Sequence, residues 1–360
     1  MESKYSTLVV MAAIIGLAGI LGSTSASIMA YKLFGLAQPS SSPFSHVILL
    51  SNKIKNSGPT TFASTSSSSN SQSGAPNTAS NKVVMINFDD SYKTQMLYAK
   101  PILDQYGFKA TFFEVCGWVG KNGERQTWQD VSALQQDGMD IESHTMTHAH
   151  LNSVSINKLY YELGFAKQCF ADQGFNTTIF GYPDNLGSDN KTVVSVVAQY
   201  YDLARSGSTS LMFLHCNGYI KHVQGDCTTF LPSGGLSYGN RYDIRSQSFD
   251  HIHSNILLSD AQIFQQFVQR MNSQIPYNKD GIINAIPIIT YHNLTYNNQF
   301  YNELPSTIMV PMFAQMMKYL HDNGFKVLVL NQLGFDTTKN VFYLNRFPST
   351  TTTTTTPSTG

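Results

Sequence analysis

The sequence predicts an α/β fold in which a parallel sheet curls into a single (β/α) barrel. Three observations carry that expectation. Short apolar runs alternate with segments of helical period between residues 82 and 347. Glycine closes helical segments at Gly107, Gly138, Gly174 and Gly324. Aspartates and histidines stand where apolar runs end, the face on which α/β barrels carry their chemistry.

The elements follow in order. VVMINF (83–88) is a short buried strand, and a helix covers 93–106. KATFFEV (109–115) is the second strand. A helix over 127–138 leads to the strand MDIES (139–143). Residues 155–173 form a long helix before the strand TTIFGY (177–182). A helix over 192–201 precedes the strand DLARS (202–206). The stretch 207–258 is rich in Gly, Ser and Asn, breaks the rhythm and is read as an insertion over one face. A helix over 259–274, the strand AIPIITYH (285–292), a helix over 310–323 and the strand FKVLVL (325–330) complete the series.

Composition narrows the function. The 360 residues carry 23 basic and 23 acidic side chains, so the formal net charge is zero. That excludes the basic excess of a nucleic-acid binder. Charged residues are 13%, about half the usual ~25%. Four cysteines without a CxxC pair exclude a zinc ribbon.

The flanks point outside the cell. Residues 8–30 hold no charge, enough for the ~20 residues that cross a bilayer. Residues 1–37 are read as a signal peptide or an uncleaved membrane anchor, because Ser23 to Ser27 also resembles a cleavage region. Residues 38–81 are a Ser/Thr/Pro-rich linker, and 348–360 a Thr-rich tail, each too polar to offset the entropy of ordering. Cys216 and Cys227 are expected to bridge within the insertion, leaving Cys116 and Cys169 paired or free.

Candidate chemistry sits at five strand ends. Asp89 and Asp90 close NFDD; adjacent carboxylates repel unless a cation lies between them. His144 and His148 are four apart and share a face if helical, as zinc-binding histidine pairs do. His148 and His150 form a competing pair, whereas His251 and His253 are read as local polar contacts. Tyr182 ends one strand, Asp202 and Arg205 lie in the next, and His292 ends PIITYH. One Asp and two His leave an open coordination position, the stoichiometry of a catalytic divalent site, commonly Zn2+.

With these residues placed, the chain resembles the polysaccharide deacetylase family, the NodB-homology or carbohydrate esterase family 4 domain, over roughly 82–335. The resemblance implies a distorted barrel of seven or eight strands. NFDD matches the first family motif and implies Asp89 as catalytic base and Asp90 as metal ligand. His144-Thr145-Met146-Thr147-His148 matches the second and implies two histidine ligands. PIITYH matches the fifth and implies His292 as general acid. The third motif ordinarily supplies an Arg two residues before Pro; here Gly181 and Tyr182 precede Pro183. Arg205 is the candidate replacement, Asp202 the candidate partner of His292, and a backbone N–H near Tyr182 the candidate oxyanion donor. The motif Trp is absent, since Trp118 and Trp128 both precede the third motif.

The implied activity is metal-assisted hydrolysis of N-acetyl groups on an extracellular polysaccharide or oligosaccharide, with membrane contact through the N-terminal segment. Two alternatives stay open: a hydrolase of small amides on the same scaffold, and a non-catalytic glycan-binding protein.

Overall fold

The computed structural model describes residues 81–207, 211–215, 228–230, 236–238, 241–250, 258–304, 306–339 and 341–345. All fall within one compact unit, Ala75–Gly360. The N-terminal anchor or signal, the linker up to residue 80, the Thr-rich tail, Cys216, Cys227, His251 and His253 lie outside the described residues. Among the described residues no helix is long and apolar enough to cross a membrane.

The strand β1 (Val83–Asp89) leads to a π-helical turn (Gln95–Ala99) that runs into α1 (Lys100–Gln105). There follow β2 (Thr111–Glu114), α2 (Trp128–Gln136) and β3 (Asp140–Ser143). The predicted long helix is α3 (Ile156–Tyr160) and α4 (Ala166–Asp172), joined by a second π-helical turn, Tyr161–Phe165. Then come β4 (Ile179–Gly181), α5 (Lys191–Tyr200) and β5 (Leu203–Arg205). Short strands β6 (Leu211–Phe213), β7 (Thr228–Phe230), β8 (Leu236–Tyr238) and β9 (Gln247–Ser248) occupy the irregular stretch. The chain continues through α6 (Asp260–Asn272), β10 (Ala285–Tyr291), β11 (Asn293–Thr295), α7 (Asn298–Glu303) and β12 (Thr307–Met309). It then forms α8 (Val310–Asp322), β13 (Lys326–Leu328) and a hairpin of β14 (Leu333–Asp336) and β15 (Val341–Leu344).

The main sheet runs β5-β4-β3-β2-β1-β10-β6, with β13 also on β1 and β9 also on β10. Pairings among β1 to β5, and of β1 with β10 and β13, are parallel, whereas β6 joins β10 antiparallel. This is the expected α/β class, a curled and mostly parallel sheet. Every residue of β1 is buried because both faces are covered, as parallel strands require. Val84, Ile86 and Phe88 pack outward with Phe267, Phe313 and Met316. Val83 and Met85 face inward with Phe113, Ile286, Ile288 and Leu328. Each such buried side chain contributes about 1.5–3 kcal/mol.

The reading of 207–258 as an insertion over one face needs correction. Its described end is part of the barrel. Ile244 pairs parallel with Arg205, through Ile244 N–H to the Ala204 carbonyl and Ser206 N–H to the Ile244 carbonyl, both 2.9 Å. Three residues on, Gln247 and Ser248 pair with Ile289 and Thr290 of β10. Residues 244–248 therefore connect β5 to β10. Too short and polar for a periodic signal, the segment escapes a reading that relies on apolar alternation. Cys116, just past β2, is disulfide-bonded to Cys169 of α4, with Cα atoms 6.5 Å apart.

Candidate active site

β1 delivers two carboxylates through an unusual turn. Asp89 is its last residue; Asp90 and Ser91 then adopt left-handed backbone at φ 75° and 57°. Such conformations cost about 1–3 kcal/mol each and persist only where the surroundings hold them. Here Ser91 Oγ accepts from Val115 N (2.9 Å) and the Ser91 carbonyl accepts from Gln126 N (2.8 Å). Gln95 Nε2 donates to the Asp89 carbonyl (2.5 Å). The turn lets both side chains enter one cavity.

His144 and His148 reach the same cavity, but not from a helix. Residues 144–148 form an irregular loop with Thr145 at φ 72° and His148 at φ 60°. Glu162, fully buried on the second π-helical turn, accepts from Met146 N (3.1 Å), Thr147 N (2.7 Å) and Thr147 Oγ1 (2.5 Å) and so shapes that loop. The helical expectation fails because a carboxylate captures amides that a helix needs for its own ladder.

His144 Nδ1 lies 2.7 Å from the Gly181 carbonyl, which only accepts, so Nδ1 carries the proton and Nε2 presents its lone pair. Nε2 of His144 and of His148 lie 3.6 and 3.2 Å from Asp90 Oδ1. One donor atom each from Asp90, His144 and His148 fall within 4.8 Å of one another. Asp90 Oδ1 is buried with no aligned hydrogen-bond donor. One oxygen and two imidazole nitrogens suit a divalent ion of the zinc type. Burial, with help from the His148 and Arg205 charges, pushes the His144 pKa down to about 4 against the pull of Asp89 and Asp90. Burial acts likewise on His148, but the adjacent Asp90 outweighs it and raises that pKa. Burial of Asp90 is outweighed by His148, His292 and His144, which hold its carboxyl well below the usual range. His150 does not join them: its Nε2 pairs with the exposed Asp184 at 2.9 Å.

Asp89 is held from across the barrel. Arg205, 1% exposed, donates from Nη2 to Asp89 Oδ2 at 2.6 Å and lies over the Phe113 ring at 4.5 Å. The missing motif arginine has a steric counterpart. A Cβ at Gly181 would lie 2.8 Å from Arg205 Nη2 and 2.9 Å from Phe113 Cδ1. The guanidinium from β5 thus occupies the space that a side chain at 181 would need.

His292 follows β10. Its Nδ1 lies 2.5 Å from Asp250 Oδ2, and its Nε2 lies 3.8 Å from Asp89 Oδ2. Burial lowers the His292 pKa, but the Asp250 charge and hydrogen bond, with Asp90 and Asp89, raise it to about 9. Asp202 is not its partner. It is exposed, one residue ahead of β5, and borders a different cavity beside Asn331 and Tyr343. Asp250 was missed because it sits in the irregular stretch; the apolar residue before it in SFD was its only local signal.

Tyr182 is buried against the cavity wall, and its own N–H is committed to the Arg205 carbonyl at 3.0 Å. That amide is therefore not available as an oxyanion donor. Asp89, Asp90, His144, His148, Tyr182, Arg205 and His292 all line one cavity of ≈ 450 Å³.

Comparison with known proteins bears on the same region. Residues 76–201 match the family model described as Polysaccharide deacetylase. A Bacillus subtilis (strain 168) protein, YxkH, named provisionally as a polysaccharide deacetylase, is 37% identical over 106 residues. That match covers 29% of this chain and 37% of the relative's own length. Among solved structures, the Streptococcus pyogenes deacetylase PplD in complex with acetate is 22% identical, covering 46% of this chain and 64% of that one, at a TM-score of 0.36. A Bacillus anthracis CE4-family pseudoenzyme is 13% identical, covering 71% and 66%, at a TM-score of 0.42.

Proposed function

We propose, from the match of residues 76–201 to the polysaccharide deacetylase family model, that this chain hydrolyses N-acetyl groups on a glycan outside the cell in a metal-dependent reaction. One observation carries the reading. The Asp90–His144–His148 donor cluster, the Asp89–Arg205 pair and the Asp250–His292 pair converge on a single cavity.

Asp90, His144 and His148 are the residues that would hold a divalent ion, with Zn2+ the choice their donor set favours. When bound, such an ion supplies Lewis acidity toward the amide carbonyl and lowers the pKa of water. Asp89 then acts as base. Arg205 holds its Oδ2, while Oδ1 is buried without a protein partner and is free to take a proton from the attacking water. His292 acts as acid. Asp250 keeps its Nδ1 engaged, so the Nε2 proton is the one directed toward the departing amine. The raised pKa keeps that proton in place at neutral pH. Water adds to the carbonyl, the C–N bond breaks, and acetate and a free amine leave.

Export is part of the same proposal. The uncharged run 8–30, the Ser/Thr-rich residues that follow it and the Cys116–Cys169 disulfide support it, since disulfides persist in oxidising compartments. The test is acetate release from a panel of N-acetylated oligosaccharides, with and without added Zn2+. Zinc-dependent acetate release is expected; its absence across the panel overturns the reading. Protease accessibility of the domain on intact cells tests the location.

A further inference from the structure

Beside the proposed metal ligands lies a stack of side chains. Arg125, in the loop between β2 and α2, places its guanidinium over the Tyr92 ring at 4.3 Å and over the Trp118 ring at 4.2 Å. Trp118 in turn stacks on the His148 imidazole, with centroids 5.1 Å apart and planes 22° apart. Arg125 Nη1 also donates to the Asp90 carbonyl at 2.5 Å. Backbone contacts seat the loop: Tyr92 and Arg125 form an antiparallel bridge, and Lys93 N donates to the Glu124 carbonyl at 2.8 Å.

From this geometry we infer that Arg125 and Trp118 are positioning residues for the metal centre, holding the Asp90 turn and the His148 ring in ligating orientation before the ion arrives. The inference rests on the metal-site reading proposed above. Asp90 and His148 are the two ligands with left-handed backbone, the conformation least able to maintain itself. His144 has its own orienting partner in the Gly181 carbonyl. For His148 the Trp118 face is the ring contact from outside the ligand set, and for Asp90 the Arg125 donor grips the peptide at the turn. A guanidinium between aromatic rings is a planar, always-charged clamp that lysine cannot reproduce. Groups that orient ligands in this way typically govern metal affinity by about 10–100-fold.

The test is Zn2+ titration of the metal-free full chain, wild type against Arg125→Ala, Trp118→Leu and Trp118→Phe. Circular dichroism and the apo thermal midpoint establish that each variant is folded. Arg125→Ala and Trp118→Leu are expected to bind Zn2+ about 10–100-fold more weakly. Trp118→Phe, which keeps an aromatic face for His148, is expected within about 3-fold of wild type. Wild-type affinity in both folded Arg125→Ala and Trp118→Leu overturns the inference. A wild-type chain that binds no Zn2+ overturns the metal-site reading itself, so the two failures are distinct.

Discussion

Asp250 and His292 lie 42 residues apart in sequence, yet Asp250 Oδ2 stands 2.5 Å from His292 Nδ1. The contact exists because β9, two residues before Asp250, pairs with the end of β10. It sets both the tautomer and the proton affinity of the proposed acid.

Asp250→Asn removes the strongest of the charges that raise the His292 pKa to about 9, leaving burial, which lowers it, against the weaker pull of Asp90 and Asp89. The alkaline limb of kcat/KM, expected near pH 9 in the wild type, should move to lower pH. A profile from pH 6 to 10 that is unchanged in the mutant removes His292 as the titrating acid. The sign for stability follows from the same raised value. The pair's contribution is full below pH 6.5 and is lost as pH rises through about 9.

His292→Ala should lower amide hydrolysis by about 10²–10⁴-fold while Zn2+ stoichiometry stays unchanged. Acetate esters with phenolate leaving groups need little proton donation and should be largely spared. Equal loss on amide and ester substrates, or loss of the metal, contradicts the acid role.

Asp89→Asn should abolish turnover and retain the metal, because the clustered donors are Asp90, His144 and His148. It also leaves the buried Arg205 without its carboxylate, a loss worth about 3–5 kcal/mol in comparable buried pairs. Metal analysis and a denaturation curve on the same sample check both. A metal-free but fully stable mutant reverses the assignment of base and ligand.

Replacing Cys116 and Cys169 together by Ala opens a link across a sequence separation of 53 residues and should cost about 2–4 kcal/mol. Equilibrium unfolding in urea, oxidised wild type against the double mutant, measures it. An unchanged midpoint shows that the bridge does not constrain the unfolded chain.

The legible part of this protein is local. Alternating apolar runs mark β1, β2, β3 and β10, and the glycines that follow α1, α2, α4 and α8 adopt φ between 65° and 85°, as helix stops require. Strand ends then mark Asp89, Asp90, His144 and His292, because parallel strands carry their side chains to one rim. The polar segment at 244–248, the β14–β15 hairpin and the π-helical turn carrying Glu162 left no such periodic trace.

By itself, then, the sequence determined the class of fold and the residues whose position follows from a strand running out. Tertiary structure decided their partners. Arg205 finds Asp89 at a separation of 116 residues because Gly181 vacates the space between them. Asp250, not Asp202, meets His292 because residues 244–248 connect β5 to β10. His144 and His148 converge through a loop shaped by Glu162 rather than through a helical turn. Side-chain period is a property of a few neighbouring residues, whereas which carboxylate meets which cation depends on how the sheet curls and which segment joins its edges. That outcome is settled by packing across the whole barrel.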